Sequence, residues 1–350
     1  MQLIIRNAKI YNGQAFLPDH YHILIEKGII RLISRSSLSP TQTDAIIIDA
    51  HFNTVMPGLV EGHNHFVAHA LRRAWIDLSD VDDAETGFEM LEEYARTIPE
   101  NEWIRGGGWS LSRWGAEKVH KKYLDRLFPD RPVALESMDY HSIWINSRAQ
   151  QILDIDPENS SVAEQEYGRD DEGKFNGILF ENARMKIYEK LPPPSEEFLK
   201  KALKRNVDYY HRHGFTHAIT MDGEQEISWI KNWIPELPMT FSWFFPYSMV
   251  LSDRCPSIRK EYRFPNFEPV GPKIFMDGAF GSLTAWLSSP YTGTDSCGIP
   301  VISEDEVRHI IRVAHDNSFG VAIHAIGDQA VKSAVNLFIE SFQKKKFAVE

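Results

Sequence analysis

The sequence predicts an α/β protein built on a parallel sheet, either doubly wound or closed into a barrel. From residue 195 onward, apolar strand-like segments alternate with amphipathic helix-like segments, and the connections between them are short. Polar residues follow several of these strands, as they do where a parallel sheet carries an active site. The chain has 350 residues, which is enough for a large core and an additional subdomain.

The first part of the chain has a different pattern, which predicts a small sheet or one layer of a sandwich. Its segments are rich in Ile, Val and Leu, and turn signals separate them at Asn12–Gly13, Lys27–Gly28 and Ser39–Pro40. We therefore predict a β-sandwich subdomain over residues 1–56 and a second domain over residues 57–350.

Residues 66–194 interrupt the second domain. They include a helix-like stretch from Glu85 to Thr97 and a glycine cluster at Gly106–Gly108. A structureless loop of this length is improbable inside a compact domain. We therefore predict a long insertion with its own α/β structure.

The regular part of the chain begins at Ser195, a good N-cap residue that two acidic residues follow. Ser303 and Glu306 form a capping box for a later helix, and Asp328 begins another. The predicted strands of the parallel sheet lie near Leu59, Thr216, Phe241, Ile274 and Ala322. The segment FAVE at residues 347–350 is typical of the start of a sixth strand.

Composition excludes several classes of partner. The net charge of −11 argues against binding to nucleic acid or to an anionic membrane surface. No apolar run approaches the ~20 residues of a membrane-spanning helix. Two cysteines, Cys255 and Cys297, are too few for a disulfide scaffold, and the N-terminus lacks the apolar core of a signal peptide. We expect a cytoplasmic enzyme with a small-molecule substrate.

Three His-x-His pairs occur, at His20/His22, at His63/His65 and at His211/His213. Residues two apart share a face on a strand but diverge on a helix. The third pair closes a predicted helix and suits its C-terminal dipole, whereas the first lies in the small N-terminal sheet. Only His63 and His65 end an apolar strand of the parallel sheet, so they are the candidates for chelation. Two ordinary loop histidines are the alternative.

Two later strands carry further candidates. VAIHAIGD places His324 at a strand end, and PKIFMDG places Lys273 inside an apolar strand with Asp277 at its end. Burial would lower the pKa of Lys273 and expose a neutral amine. Such an amine adds carbon dioxide to form a carbamate, an anionic oxygen ligand. The alternative is a lysine whose ammonium extends to solvent.

Several motifs resemble one known family. VMPGLVEGHNHF resembles the first barrel strand of the amidohydrolase superfamily, with Glu61 where the family usually has Asp. Later segments resemble, in order, the blocks of its amidohydrolase family 3, the YtcJ-like proteins. These segments are LDRLFPDRPVALESMDYHSIWINSRA, GILFENA, KIFMDGAFGSLTAW and AIHAIGDQAV. The resemblance implies a (β/α)8 TIM barrel, here with about five strands and therefore incomplete.

The resemblance also implies a metal centre. His63 and His65 would bind one divalent ion, Lys273 would be the residue that is often carboxylated and bridges two ions, and His324 would bind the second ion. Lys273 and His324 would thereby also be catalytic. The expected cofactor is Zn²⁺, as one or two ions. The family's remaining ligands, a sixth-strand histidine and an eighth-strand aspartate, would lie beyond residue 350.

The implied activity is hydrolysis of a non-peptide carbon–nitrogen bond, in an amide, formamide or cyclic amide, by metal-activated water. Asp139, His141 and Trp144 lie in the insertion, which the resemblance makes a lid, and they are candidates for substrate binding with Asp277. A structural loop motif is an equal alternative for the first three.

Other interpretations stay open. A truncated or degenerate relative would bind a metal or ligand without catalysis, and a homo-oligomer would complete the barrel from another copy. A nucleotide-binding enzyme is weakly indicated because Gly106–Gly108 lacks the usual phosphate-loop spacings. A serine or cysteine nucleophile is also weakly indicated, since no Gly-x-Ser-x-Gly motif occurs.

Overall fold

A computed structural model of the chain describes residues 2–158, 164–252, 254–281 and 283–347. The chain divides into two compact units. One contains the residues up to Val60 together with Gly214–Thr216, and the other contains the remaining residues. The predicted boundary near residue 56 stays a prediction.

The N-terminal unit contains one sheet. Its strands are β1 (Gln2–Tyr11), β2 (Phe16–Glu26), β3 (Ile29–Ser34), β4 (Ile46–Asp49) and β5 (Thr54–Val55). β2 pairs antiparallel with β1 and β3, whereas β4 and β5 pair parallel with β1. The turn after β1 forms at Asn12, whose side chain accepts hydrogen bonds from the backbone N–H groups of Gln14 and Ala15. The described residues of this region form a single sheet layer, and the sandwich stays a prediction.

The next strand, β6 (Leu59–Asn64), leads into the segment predicted as an insertion, which holds a sheet of its own. Its strands are β7 (Ile76–Asp77), β8 (Ile104–Trp109), β9 (Val133–Ser137), β10 (Ser142–Ile145), β11 (Tyr167–Arg169) and β12 (Phe175–Phe180), in the order β11-β12-β10-β9-β8-β7. Its helices are α1 (Phe66–Ala74), α2 (Ala84–Thr97), α3 (Leu111–Trp114), α4 (Lys121–Leu127), α5 (Ser147–Ile152) and α6 (Glu181–Lys190). β7, β8 and β9 are parallel, and β10 and β12 continue the sheet antiparallel.

The glycine cluster on β8 has a structural explanation. A Cβ on Gly106 would lie 2.0 Å from the carbonyl oxygen of Ile76, and one on Gly108 would lie 2.3 Å from the backbone nitrogen of Ser79. Gly108 also has a positive φ of 103°. The glycines are therefore required by the close approach of β7 and the chain after it, which accounts for them without a phosphate ligand.

A further sheet contains the five strands predicted near Leu59, Thr216, Phe241, Ile274 and Ala322. They are β6, β13 (Phe215–Thr220), β14 (Thr240–Pro246), β15 (Phe267–Phe275) and β16 (Ala322–His324), in that order across the sheet. The pairs from β13 to β16 are parallel. The helices of this region are α7 (Glu196–Arg212), α8 (Glu224–Ile230), α9 (Cys255–Glu261), α10 (Glu304–Asp316) and α11 (Asp328–Phe347). Closure into a barrel stays a prediction, and the sixth strand expected at residues 347–350 falls almost wholly outside the described residues.

The predicted capping residues begin these helices. The side chain of Ser195 accepts a hydrogen bond from the backbone N–H of Phe198 at 3.3 Å, and Ser303 accepts one from Glu306 at 3.3 Å. Each cap satisfies a donor that the first turn would otherwise leave unpaired. Within the described part of the chain, no helix combines the length and the apolar character that crossing a membrane requires.

Candidate metal centre

The first two ligand candidates lie where β6 ends and α1 begins. His63 is the penultimate residue of β6, and His65 is the N-cap residue of α1. Their ring centroids are 6.2 Å apart, and both side chains are exposed. The backbone N–H of Met221, which follows β13, donates to the carbonyl of Asn64 at 2.8 Å. Strand pairing therefore continues between the two histidines and fixes the backbone that carries them.

A buried carboxylate holds the start of α1. Asp222 accepts hydrogen bonds from the backbone N–H groups of Val67 at 2.9 Å and Ala68 at 3.1 Å. It also accepts one from the hydroxyl of Thr220 at 2.5 Å. The side chain of His65 makes no capping bond, so Asp222 does this from the neighbouring strand and leaves the imidazole available. Burial raises the pKa of Asp222, and the three hydrogen bonds oppose that rise.

Sequence reasoning missed Asp222. The available signal was an acidic residue two positions beyond the strand FTHAIT, at the edge where polar groups of a parallel sheet collect. Its role as a cap on α1 depends on a residue more than 150 positions away along the chain. No local pattern encodes such a pairing.

Lys273 lies on β15 with its side chain buried; the residue is 8% exposed. It pairs with Ala322, and its Nζ lies 5.4 Å from the centroid of the Phe275 ring. Burial lowers the pKa of Lys273 because the charged ammonium loses hydration. This environment favours the buried amine over an ammonium that extends to solvent.

His324 is the last residue of β16 and pairs with Phe275. His324 is paired with Phe275, and Phe275 lies two residues after Lys273 on β15. Paired residues of parallel strands share a face, and so do residues two apart on one strand. Lys273 and His324 therefore lie on the same face of the sheet. The Nε2 atom of His324 lies 3.0 Å from the carbonyl oxygen of Gly278, to which it donates a hydrogen bond. In this tautomer the lone pair is on Nδ1, which is then the nitrogen available to a cation.

Asp277 organises the loop that follows His324. Its carboxylate accepts hydrogen bonds from the backbone N–H groups of Trp286 at 2.9 Å, Ile326 at 3.0 Å and Gly327 at 2.8 Å. The side chain is fully buried, and one oxygen lies 3.8 Å from Nε2 of His324. Full burial and three backbone donors favour a positioning role for Asp277 over the predicted contact with substrate.

The surroundings of His63 alter its pKa. Burial lowers the pKa first, the nearby side chains of Lys273, His65 and His324 lower it further, and Glu61 opposes this. The neutral imidazole that results is the form that binds metals. Within the described residues, however, no three side chains of the His, Cys, Asp and Glu types are arranged to hold an ion. The imidazole nitrogens are donor atoms that suit a divalent metal. The described histidines are nevertheless not arranged as a complete metal site.

Two of the predicted substrate-binding residues lie in the hairpin between β9 and β10. Asp139 accepts hydrogen bonds from the hydroxyl of Ser137 at 2.6 Å and from the backbone N–H of His141 at 3.0 Å, which lowers its pKa. His141 is exposed, and its Nδ1 lies 2.9 Å from a carboxylate oxygen of Glu181. Asp139 thus stabilises the turn, whereas His141 remains accessible to a ligand.

Trp144 lies elsewhere, in the core of the insertion. It is 0% exposed, and its ring lies 5.9 Å from that of Trp109 and 6.4 Å from that of Trp114, between ring centroids. Full burial among these rings favours core packing of Trp144 over the predicted contact with substrate.

The other His-x-His pairs lie on elements other than the strands that carry the four candidates. His20 and His22 are inside β2 of the N-terminal sheet. His213 is the C-cap residue of α7, and its Nδ1 bonds the carbonyl of Tyr209 at 2.8 Å. That bond satisfies a free carbonyl of the last helical turn, in keeping with the predicted role at a helix C-terminus.

Comparison with known proteins identifies the family. The model of a family described as "Amidohydrolase family" matches residues 47–348. The chain is 30% identical over 338 residues to the putative amidohydrolase YtcJ of Bacillus subtilis, covering 90% of this chain and 61% of that protein. It is 28% identical over 189 residues to the N-substituted formamide deformylase of Arthrobacter pascens, covering 52% of this chain and 34% of that enzyme.

A solved structure shows the fold. The crystal structure of a metal-dependent hydrolase from Pyrococcus furiosus aligns with a TM-score of 0.78 at 23% identity, covering 97% of this chain and 70% of that one. The chain spans about three fifths of the length of YtcJ. The family match over residues 47–348 and the likeness to YtcJ agree with the resemblance found in the sequence motifs. The chain belongs to the amidohydrolase family.

Proposed function

We propose that the protein is a metal-dependent hydrolase of non-peptide carbon–nitrogen bonds, with amides, formamides and cyclic amides as the substrate class. The observation that carries the proposal is the position of His63, Lys273 and His324 near the C-terminal ends of β6, β15 and β16, three strands of one sheet. The names of the two relatives, an amidohydrolase and a formamide deformylase, support this bond type.

His63, His65 and His324 would hold the ion through neutral nitrogens, as Zn²⁺ prefers. A bound divalent ion would supply Lewis-acid activation of water and of a carbonyl group at neutral pH. Lys273 would contribute as a carbamate, formed when its neutral amine adds carbon dioxide and releases a proton. Its burial and lowered pKa supply the amine form that this addition needs.

The chain's own residues fix the orientation of these groups. The hydrogen bond to Gly278 sets the tautomer of His324, and such outer partners tune metal ligands. Asp277 holds the loop that begins after His324, and Asp222 holds the helix that begins after His65. Both carboxylates accept backbone hydrogen bonds, so their role in the proposal is to position the elements that carry the histidines.

Metal analysis and activity should be measured together on the 350-residue chain. We expect zinc-loaded protein to retain close to one or two ions per chain after dialysis and to hydrolyse members of a panel of N-substituted formamides and cyclic amides. His63→Ala should lose bound metal and at least tenfold in turnover. The matched control, His211→Ala, removes a histidine of another His-x-His pair and should change neither. Unchanged metal content in His63→Ala would contradict the proposal.

A second function has an observation in its favour. The described histidines are not arranged as a complete metal site. A protein that binds a ligand without catalysis does not need such a site. The same assay separates the two functions. Turnover above background that depends on added Zn²⁺ and on His63 removes the non-catalytic alternative.

A further inference from the structure

A surface cavity of about 270 Å³ lies between the C-terminal end of α2 and the first half of α7. Residues of α2, of the segment directly after it and of α7 line this cavity, together with the last residue of α1. All of these elements belong to one compact unit. None of the four ligand candidates of the metal centre lines the cavity. We call it the α2–α7 cavity.

The lining of the α2–α7 cavity is positively charged. Arg96 contributes one cation from the last turn of α2, and Lys201 and Arg205 contribute two from α7. All three residues are exposed, so their charged ends are open to an occupant. Glu197 is the single carboxylate of the lining. Three cations and one carboxylate leave two net positive charges, in a protein whose net charge is −11.

These three cations have no counter-ion within the described part of the chain. Neither Arg96, Lys201 nor Arg205 forms an ion pair there, whereas the ammonium of Lys200, the residue before Lys201, lies 2.6 Å from Glu196. Lys201 and Arg205 are four residues apart on one helix, and like charges at that spacing repel and destabilise a helix. A bound anion would turn this repulsion into attraction.

Arg96 differs from the other two cations because it also borders a neighbouring cavity. Glu92 and Glu100 line that second cavity, together with Arg131. The side chain of Arg96 therefore has acidic residues on its other side. Lys201 and Arg205 have no such alternative, so we expect these two residues to contribute most to the binding of an anion.

Hydrogen bonds fix the two helices that form the cavity. Arg131 donates to the carbonyls of Ala95 at 2.8 Å and Pro99 at 2.5 Å, which holds the end of α2. The buried carboxylate of Glu102 accepts a hydrogen bond at 2.8 Å from the backbone N–H of Ser195, the N-cap residue of α7. The segment that follows α2 is thereby tied to the start of α7. A site held in this way needs little reordering to take up a ligand.

The remaining part of the lining is mostly apolar. Phe198 and Ala202 of α7 are buried beneath the charged residues of the same helix, and Ile98 and Pro99 are half-buried. This surface suits a small organic body. The volume lies just below the range of about 300–1,000 Å³ typical of ligand pockets, which limits that body to about one ring.

We propose that the α2–α7 cavity binds a phosphomonoester with a small organic body. A phosphomonoester carries about 1.5–2 negative charges at pH 7 and presents three acceptor oxygens, which match the net charge and the three cations of the lining. The guanidinium of Arg205 suits two phosphate oxygens at once, and the ammonium of Lys201 acts as a compact point charge. The site is separate from the metal centre and does not depend on the proposed hydrolysis.

The test uses phenyl phosphate as the probe and phenyl sulfate as its counterpart of similar shape with a single charge. Titration calorimetry measures binding to the full 350-residue chain, with and without treatment by a chelator. We expect phenyl phosphate to bind about fivefold more tightly than phenyl sulfate, and chelation to leave its affinity unchanged. No binding of phenyl phosphate, equal affinity for the two probes, or loss of binding after chelation would overturn the proposal.

Charge-removing variants locate the site. Lys201→Gln and Arg205→Gln should each weaken the binding of phenyl phosphate by about fivefold. The controls Lys204→Gln and Arg212→Gln make the same changes at exposed positions of the same helix that do not line the cavity, and they should bind as the wild type does. Wild-type affinity in both Lys201→Gln and Arg205→Gln, or an equal loss in the controls, would refute the proposed site.

A gain of affinity provides an independent test that a folding defect cannot imitate. Glu197→Gln removes the only carboxylate of the lining and with it the repulsion of a bound phosphate. This variant should bind phenyl phosphate about twofold more tightly than the wild type, because the two charges are exposed and partly screened. Unchanged or weaker binding would contradict the position of the phosphate among these side chains.

Discussion

The edge of the parallel sheet and the interior of the insertion treat polar groups in opposite ways. At the sheet edge, Asp222 and Asp277 accept backbone hydrogen bonds from the start of α1 and from the loops that follow β15 and β16. In the insertion, Nε of Arg105 and Nε1 of Trp75 are buried without an acceptor among the described residues. The fold therefore pairs the buried carboxylates at the sheet edge, whereas it leaves these two buried donors unpaired.

The largest expected effect concerns the hydrophobic core of the insertion, to which Trp144 belongs. Trp144→Ala should lower the free energy of unfolding by about 4 kcal/mol, because a fully buried tryptophan leaves a void that the surrounding rings fill only partly. Urea denaturation measures it. Tyr140→Ala removes an exposed aromatic residue of the same hairpin and should cost much less. A small loss of unfolding free energy in Trp144→Ala would contradict the core-packing role and favour the predicted contact with substrate.

The next effect tests whether Asp277 organises the sheet edge. Asp277→Ala leaves three backbone N–H groups without an acceptor and should cost about 3 kcal/mol of unfolding free energy. Asp277→Asn retains one acceptor oxygen and should cost less. The amount of zinc bound by Asp277→Ala, compared with the amount bound by the wild type, shows whether His324 is displaced together with its loop. Full stability in Asp277→Ala would mean that the carboxylate does not hold this loop.

Asp222 should have a smaller effect because it caps only one helix. Asp222→Ala should cost about 1–2 kcal/mol, the usual range for loss of a helix cap. Hydrogen exchange at the amides of Val67 and Ala68 should accelerate, while exchange in the middle of α7 should stay at the wild-type rate. Uniform acceleration across both helices would indicate global destabilisation instead of a lost cap.

The sequence predicts the residues of the sheet edge far better than it predicts the contacts inside the insertion. Strands β6, β13, β14, β15 and β16 follow from apolar segments, and the caps Ser195 and Ser303 follow from local chemistry. His63, His65 and His324 are visible because a strand end is a local feature. By contrast, the contact between Arg105 on β8 and Trp75 at the end of α1 forms only in the tertiary structure. The lack of an acceptor for their two donors cannot be predicted from the sequence.

The smallest effect on stability, and the sharpest test of the lid, concerns His141. The side chains of His141 and Glu181 form an exposed contact at 2.9 Å, and exposed contacts of this kind contribute little to folding. His141→Ala and the matched control Glu181→Ala should therefore unfold at the same denaturant concentration as the wild type. If His141 contacts substrate, only His141→Ala should raise KM for a formamide substrate while leaving kcat nearly unchanged, because a binding contact acts equally on ground and transition states. An equal rise in KM in both variants would show that the contact between His141 and Glu181 positions the hairpin. No rise in either variant would show that His141 does not contact the substrate.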